Sequence, residues 1–185
     1  MRNIYIGNKS SRQGSWTSFE TDERLTLTKK NIYGRCFPCI ENFLNHLVEG
    51  KQEIELGQAF NCWKIVAVLN SEEECLSVLE KYQNRLSSSR YLQGRFGRSR
   101  EENHSTTAIV INADNEEERD TILSELELCA REINPDVEVF CSRACANLYG
   151  ELLGDWQDWG KVARIKNPEN VERIVKRIRK VLYDT

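Results

Sequence analysis

The fold is decided by the stretch Ile65-Val66-Ala67-Val68-Leu69-Asn70-Ser71-Glu72-Glu73-Glu74. Its apolar run predicts a buried strand. Ser71 and Glu74 have the spacing at which a capping side chain and a carboxylate three residues later satisfy the free amides of a helix start. Apolar residues then recur at steps of three and four, at Cys75, Leu79, Tyr82 and Leu86. The stretch therefore predicts a strand, a cap and an amphipathic helix.

This strand–cap–helix unit occurs twice more along the chain. Residues 108–111 lead to Asn115, and residues 162–165 lead to Asn167; each cap is followed by acidic residues that suit the positive end of a helix dipole. The apolar positions that follow are Ile122, Leu126, Cys129 and Ile133 in the second unit and Val171, Ile174, Ile178 and Val181 in the third. Residues 137–140 predict a returning strand that closes a β-α-β arrangement.

Strands that alternate with helices in this way predict the α/β class, as an α+β sandwich of repeated strand–cap–helix units. We expect a ferredoxin-like core with N- and C-terminal additions. A small parallel, doubly wound sheet is the competing architecture. Residues 1–60 predict an N-terminal arm, with an alternating strand at 25–28 and a helix that begins at a C-x-x-C pair. Residues 61–185 predict the three-unit core, and the whole chain one globular domain.

The composition favours a cytoplasmic protein. The first residues lack the long apolar stretch of a signal peptide, and the longest apolar run, 65–69, is too short to cross a bilayer. With 39% hydrophobic and 30% charged residues, the 185-residue chain can bury one core. Thiols stay reduced in the cytoplasm, so closely spaced cysteines indicate metal binding or catalysis more often than a disulfide framework.

Four of the seven cysteines form two close pairs, Cys36 with Cys39 and Cys141 with Cys145. The C-x2-C spacing is the usual zinc knuckle, and C-x3-C is an acceptable second half of a tetrahedral thiolate site. The sequence predicts that these four cysteines bind a metal, with zinc favoured over an iron–sulfur cluster on the same ligands. The protein would then be a binding or assembly module, as a homodimer or with a protein partner and without a membrane.

The sequence Cys36-Phe37-Pro38-Cys39, at a predicted helix start, is similar to the C-x-P-C motif of thioredoxin-type oxidoreductases. The resemblance covers four residues. It implies a thiol–disulfide enzyme in which Cys36 attacks and Cys39 resolves. No apolar strand runs directly into the motif, and no proline stands where a companion cis-proline would be expected. Whether the protein is an enzyme is therefore left open.

The simplest interpretation of the cysteines is that they are small hydrophobic residues. Cys75 and Cys129 fall on apolar helix faces, and Cys62 precedes the first buried strand. For these three, packing is the preferred interpretation. For the two close pairs, packing and function remain open alternatives.

Residues 87–100 are rich in arginine and glycine and predict a flexible loop. Arginines interleaved with aromatic residues suit phosphate contact and base stacking, which predicts a nucleic-acid or anion site at Arg90, Arg95, Arg98 and Arg100. The last helix adds basic residues on one face: Arg173, Lys176, Arg177 and Lys180. The formal net charge of −3 favours ordinary solvent-facing surfaces instead, so nucleic acid is an alternative partner and not the preferred one.

Overall fold

The computed structural model describes residues 3–10, 14–22, 36–86, 91–99 and 106–183. The described strands are β1 (Tyr5–Ser10), β2 (Gly14–Glu20), β3 (Glu53–Glu55), β4 (Trp63–Leu69), β5 (Gln93–Ser99), β6 (Thr107–Ala113), β7 (Glu138–Arg143) and β8 (Val162–Arg164). The described α-helices are α1 (Phe37–Val48), α2 (Gln58–Asn61), α3 (Glu72–Gln83), α4 (Glu116–Arg131), α5 (Ala146–Leu153) and α6 (Val171–Tyr183).

The chain divides into two compact units, and each is built from two segments. The first unit comprises Met1–Gly34 and Trp63–Cys141, and the second comprises Arg35–Cys62 and Ser142–Thr185. The predicted division into an arm over residues 1–60 and a core over residues 61–185 stays a prediction. The strand expected at 25–28 lies outside the described residues.

The first unit contains a six-stranded sheet with the strand order β1-β2-β5-β6-β4-β7. The pairs β1–β2, β2–β5, β5–β6 and β4–β6 are antiparallel, and α3 and α4 follow β4 and β6. The predicted mixture of helices and strands is confirmed, whereas the alternative of a parallel, doubly wound sheet is wrong. The reason is that β5, which the sequence analysis did not predict, forms a hairpin with β6 and makes the pairing antiparallel.

Both predicted caps of the first unit are present and have the same hydrogen bonds. The Glu74 amide donates to Ser71 Oγ at 3.2 Å, and the Glu118 amide donates to Asn115 Oδ1 at 2.8 Å. The two glutamates accept in turn, through their carboxylates, from the amide of the residue before each cap, at 3.0 and 2.7 Å. The helix starts therefore follow from local sequence, as expected for capping.

Residues 93–99 form a strand, so the prediction of a flexible loop is wrong for this part of 87–100. Two glycines permit β5 to pair closely on both sides. A Cβ at Gly94 would lie 2.4 Å from Cζ of Phe19, and one at Gly97, where φ is +142°, would lie 2.0 Å from the Ser15 carbonyl oxygen. Glycine is required here because any side chain would collide with β2.

In the second unit, β3 and β8 form a two-stranded antiparallel sheet in which Ile54 lies opposite Ala163. The third predicted strand is thus present but does not belong to the six-stranded sheet. The predicted cap at Asn167 is not formed: its side-chain amide donates to the Glu151 carbonyl oxygen at 3.1 Å instead. The helix expected at the first cysteine pair is confirmed as α1.

Candidate functional site

Cys36 and Cys39 lie at the start of α1, in the second unit. Cys36 is the residue that precedes the helix, and Pro38 occupies its first turn. Both cysteines are partly buried and pack against the apolar core of this unit. The unpaired amides at a helix start stabilise a thiolate, which is the form of cysteine that binds metals and attacks disulfides.

Cys145 also precedes a helix of the second unit, α5. Its carbonyl oxygen accepts hydrogen bonds from the amides of Leu148 and Tyr149, both at 3.0 Å. Cys145 is buried in the same core cluster against which Cys36 and Cys39 pack. The structure therefore brings together three of the four cysteines that were predicted as metal ligands.

The environment of Cys145 opposes an isolated negative charge. Burial raises the pKa of the Cys145 thiol, and the neighbouring thiols of Cys36, Cys39 and Cys62 raise the pKa further. Each neighbour acts in this direction because a second thiolate nearby would repel the first. A cation bound between the sulfur atoms would lower the pKa of these thiols, because it would stabilise the negative charge of each thiolate.

Cys141, the fourth predicted ligand, belongs to the first unit. It is partly buried on β7. Burial raises the pKa of the Cys141 thiol, the Arg119 guanidinium lowers the pKa, and Asp120 raises it, with a net increase. Its charged neighbours are thus side chains of the first unit, in contrast to the thiols around Cys145.

Cys62 is buried, in agreement with the sequence analysis, which interpreted it as a packing residue. It follows the short helix α2. Its carbonyl oxygen accepts from the Ala144 amide at 3.0 Å, so it is tied to the residue directly before Cys145. A lone cysteine before an apolar strand is typical of packing.

Tyr149 fixes the position of α5 against α1. Its hydroxyl donates a hydrogen bond of 2.8 Å to the Cys39 carbonyl oxygen, and its ring stacks on Phe43 with the centroids 3.9 Å apart. Burial raises the pKa of the Tyr149 hydroxyl, and the adjacent Cys145 raises it further, so the hydroxyl stays protonated as the donor. The hydrogen bond from the Tyr149 hydroxyl to the Cys39 carbonyl oxygen therefore links the chain segments that carry Cys39 and Cys145.

Arg143 provides a permanent positive charge in the second unit. It is buried, and its guanidinium lies 4.0 Å from the centroid of the Phe60 ring. Arginine cannot be deprotonated in a protein, so this charge persists at every accessible pH. Phe60 stands two residues before Cys62, and Arg143 stands two residues before Cys145.

The seven cysteines all lie within the described residues, and none of them forms a disulfide bond. Within the described part of the chain, no three His, Cys, Asp or Glu side chains are arranged so that they could hold a metal ion. Cys36, Cys39 and Cys62 each raise the pKa of the Cys145 thiol, and these four residues are named here the thiol cluster.

Cys75 and Cys129 are packed in the first unit, as predicted. Both are completely buried on the inner faces of α3 and α4. Burial raises the pKa of the Cys75 thiol to about 12, and burial also raises the pKa of Cys129. These two thiols are inert core residues.

The predicted anion site is only partly described. Arg95 and Arg98 lie on β5, and Arg90 and Arg100 lie outside the described residues. Arg95 and Arg98 are three positions apart in a strand and so point to opposite faces of the sheet. The Arg95 guanidinium lies 4.7 Å from the centroid of the Trp16 ring. A nucleic-acid partner stays a prediction.

The basic face predicted for the last helix is partly neutralised. Arg173 and Arg177 of α6 both form ion pairs with Glu151 of α5. These pairs hold the last helix against α5 within the second unit. The two arginines therefore have a structural role in addition to any contact with a ligand.

None of the described helices has the length and apolar character needed to cross a membrane. No family model, no curated protein and no solved structure matches this chain.

Proposed function

We propose that the protein is a cytoplasmic binding or assembly module whose second unit is held together by a structural metal centre. Its ligands include Cys36, Cys39 and Cys145. The observation that supports the proposal is that Cys36 and Cys39 pack against the same core cluster in which Cys145, distant from them in sequence, is buried. A structural thiolate site uses cysteines placed in this way at the junctions of several elements.

A bound metal would add to the stability that the apolar core gives the second unit. The unit is built from two separate segments, 35–62 and 142–185, whose sheet has only two short strands. Closing such a small unit costs chain entropy, and a bound metal offsets this cost because its binding energy becomes folding energy. The expected role of the centre is thus stability of the unit rather than catalysis.

We also propose that the first unit has a ferredoxin-like core. The part of the sheet ordered β5-β6-β4-β7, with α3 after β4 and α4 after β6, has the element order of a split β-α-β fold. In this proposal β1 and β2 extend the sheet beyond β5. A ferredoxin-like fold does not determine a catalytic site. The fold is therefore compatible with a binding role but does not specify what is bound.

Metal analysis of anaerobically purified protein tests the functional proposal. We expect about one zinc per chain, and we expect Cys36→Ser to lose the metal and to unfold at a lower denaturant concentration. Cys129→Ala is the matched control, because Cys129 is a buried cysteine of the first unit outside the thiol cluster. The control should retain the metal even if the smaller side chain lowers stability.

The alternative thiol–disulfide activity predicts a different result in the same preparation. Metal-free protein with all seven thiols titratable after unfolding, and a reversible disulfide between Cys36 and Cys39, would overturn the metal proposal. In that case only Cys36 and Cys39 would be needed for reduction of a dithiol probe. A requirement for Cys145 in metal retention distinguishes the two functions directly.

A further inference from the structure

The last helix of the second unit, α6, concentrates positive charge. Of its 13 residues five are basic and one, Glu172, is acidic, so the helix carries a formal charge of +4. The whole chain, in contrast, carries a formal net charge of −3. A basic element in an otherwise acidic protein attracts anionic partners to that element, because the attraction depends on the local charge and not on the total.

The apolar side of α6 is packed inside the second unit. Ile174 and Ile178 are completely buried in its core cluster. In an α-helix, positions 176 and 180 lie one turn apart on the side opposite positions 174 and 178. The exposed residues of the helix include four of its basic ones: Arg173, Lys176, Arg179 and Lys180. The helix therefore has a buried apolar side and an exposed basic side.

Three of the exposed cations are not neutralised by an acidic neighbour. Two arginines of α6 form ion pairs with Glu151 of α5. Within the part of the chain that the structure describes, no ion pair involves Lys176, Arg179 or Lys180. Lys180, in the last turn, also suits the negative end of the helix dipole, but Lys176 stands before the last turn, where this effect has faded. The dipole therefore does not account for the whole basic side.

An exposed aromatic ring follows these cations on the same helix. Tyr183 is 65% exposed. It stands four residues after Arg179 and three residues after Lys180, a spacing at which side chains are neighbours on a helix surface. Cations that contact phosphates, next to an aromatic ring on which a base stacks, are the combination that binds single-stranded nucleic acid.

We propose that the exposed side of α6 binds single-stranded nucleic acid without sequence preference. Lys176, Arg179 and Lys180 contact phosphates, and Tyr183 stacks on a base. This binding site goes beyond the proposed metal centre and needs no thiol. Phosphate contacts carry no sequence information and stacking accepts every base, so the expected binding does not depend on sequence.

Other anionic partners fit this surface less well. A helix that lies on an anionic membrane inserts its apolar side into the lipid, whereas Ile174 and Ile178 of α6 are buried in the core. A helix that reads duplex DNA enters the major groove, which a helix packed along one side against its own unit does not do. An acidic protein surface offers charge but no base on which Tyr183 could stack.

The first test measures binding of the full chain to a fluorescently labelled single-stranded oligonucleotide of about 15 nucleotides, by anisotropy. Three phosphate contacts predict that the logarithm of the association constant falls with the logarithm of the salt concentration with a slope of about −2. Lys176→Gln and Lys180→Gln should each make this slope shallower by about 0.7. Lys51→Gln, the same change of charge at an exposed position of the same unit, is the control and should leave the slope unchanged.

The second test uses Tyr183, whose contribution does not depend on salt. Tyr183→Ala should lower the affinity by at least about 5-fold through the loss of one stacked base, and it should leave the salt dependence unchanged. Tyr183→Phe keeps the ring and should bind as wild type does. All substituted positions are exposed, so urea denaturation should give the same midpoint for every variant and exclude unfolding as the cause.

The outcomes separate this inference from its competitors and from the proposed function. Full affinity in both lysine variants, or equally strong binding of polyglutamate, would overturn the nucleic-acid site. Binding to vesicles of anionic phospholipid without binding to the oligonucleotide would also overturn it and would assign the surface to a membrane. Metal-free protein that binds the oligonucleotide with the expected salt dependence would support this inference and overturn the metal centre.

Discussion

The Tyr149 hydroxyl donates a hydrogen bond of 2.8 Å to the carbonyl oxygen of Cys39. This bond joins two helices whose starting residues, Cys36 and Cys145, carry thiols of the thiol cluster. The Tyr149 side chain is buried, and its ring stacks on Phe43 without involving the hydroxyl. The hydroxyl can therefore be removed without removing the ring.

We predict that Tyr149→Phe lowers the free energy of unfolding by about 1 kcal/mol, the typical contribution of one intramolecular hydrogen bond. The stacking on Phe43 should persist in the variant. Urea denaturation followed by fluorescence measures the change, and Tyr183→Phe is the control because Tyr183 is 65% exposed. Equal stability of Tyr149→Phe and wild type would show that the hydrogen bond contributes nothing to the fold.

The two helix caps of the first unit give a second prediction. Ser71→Ala and Asn115→Ala should each lower the free energy of unfolding by about 1 kcal/mol, because each leaves a helix amide without its side-chain acceptor. Ser77→Ala and Thr121→Ala are matched controls in the same two helices. Their hydroxyls donate to the carbonyl oxygens of Glu73 and Glu117 inside the helix, at 2.9 and 2.8 Å.

The controls should be neutral or slightly stabilising, because alanine has the highest helix propensity and bonding of a hydroxyl to the preceding turn stabilises little. Denaturation of all four variants under one condition checks the prediction. A loss as large in Ser77→Ala as in Ser71→Ala would mean that any polar-to-apolar change in α3 destabilises the protein and that the cap has no special role.

The sequence predicted those features that depend on neighbouring residues. The caps at Ser71 and Asn115 and the helices that follow them are determined within a few residues, so spacing alone identified them. The returning strand and the helix at the first cysteine pair were found in the same way. Each of these elements has a periodic apolar pattern and a boundary residue in its own sequence.

The features that the sequence did not predict depend on distant partners. Strand β5 was taken for a loop because its glycines and arginines are typical of one, and the close approach of β2 and β6 explains the glycines. The strand β8 was predicted, but its partner β3 has only three residues and no alternation long enough to recognise. Cys62 has no paired cysteine nearby in sequence, so only the contact with Ala144 places it beside Cys145.

The glycines of β5 give a third prediction. Gly94→Ala and Gly97→Ala should each lower the free energy of unfolding by at least about 2 kcal/mol, because the new methyl group would overlap Phe19 or the Ser15 carbonyl and cores tolerate overpacking poorly. Gly150→Ala is the control, since no atom lies within 4 Å of a Cβ at Gly150 in α5.

Gly150→Ala should raise the free energy of unfolding by about 0.5–1 kcal/mol, since alanine restricts the unfolded chain and favours the helix. Thermal and urea denaturation of the three variants show directly whether each substitution raises or lowers the free energy of unfolding. If Gly97→Ala were as stable as wild type, the pairing of β5 with β2 at Ser15 would have to be looser than the 2.0 Å distance between a Cβ at Gly97 and the Ser15 carbonyl oxygen implies.

The ion pairs of Glu151 give a prediction about pH. Burial raises the pKa of this carboxyl, but hydrogen bonds and charge from Arg177 and Arg173 outweigh burial and hold the pKa below its ordinary value of 4.5. A carboxyl whose pKa is lower in the folded state stabilises the protein fully above its unfolded pKa. That stabilisation is lost as the pH falls through the folded pKa.

We therefore expect Glu151→Gln to be less stable than wild type at pH 6–7 by about 1 kcal/mol or less, the range of partly exposed ion pairs. The difference should begin to shrink below about pH 4.5, where Glu151 becomes protonated in the unfolded chain, and should be lost once the pH falls below the lower pKa of Glu151 in the folded protein. Urea denaturation from pH 7 to pH 3 measures this difference. Glu172→Gln is the control, because it removes one negative charge from an exposed position of α6.

The two variants separate the local ion pair from the effect of net charge. If the free energy of unfolding of Glu172→Gln had the same pH dependence as that of Glu151→Gln, the cause would be the change in the net charge of the protein and not the ion pairs of Glu151. A difference that persists unchanged at pH 3 would instead assign the role of Glu151 to uncharged contacts. Its backbone carbonyl, which accepts from the side-chain amides of Asn167 and Asn170 at 3.1 Å, remains in both variants and cannot account for a difference between them.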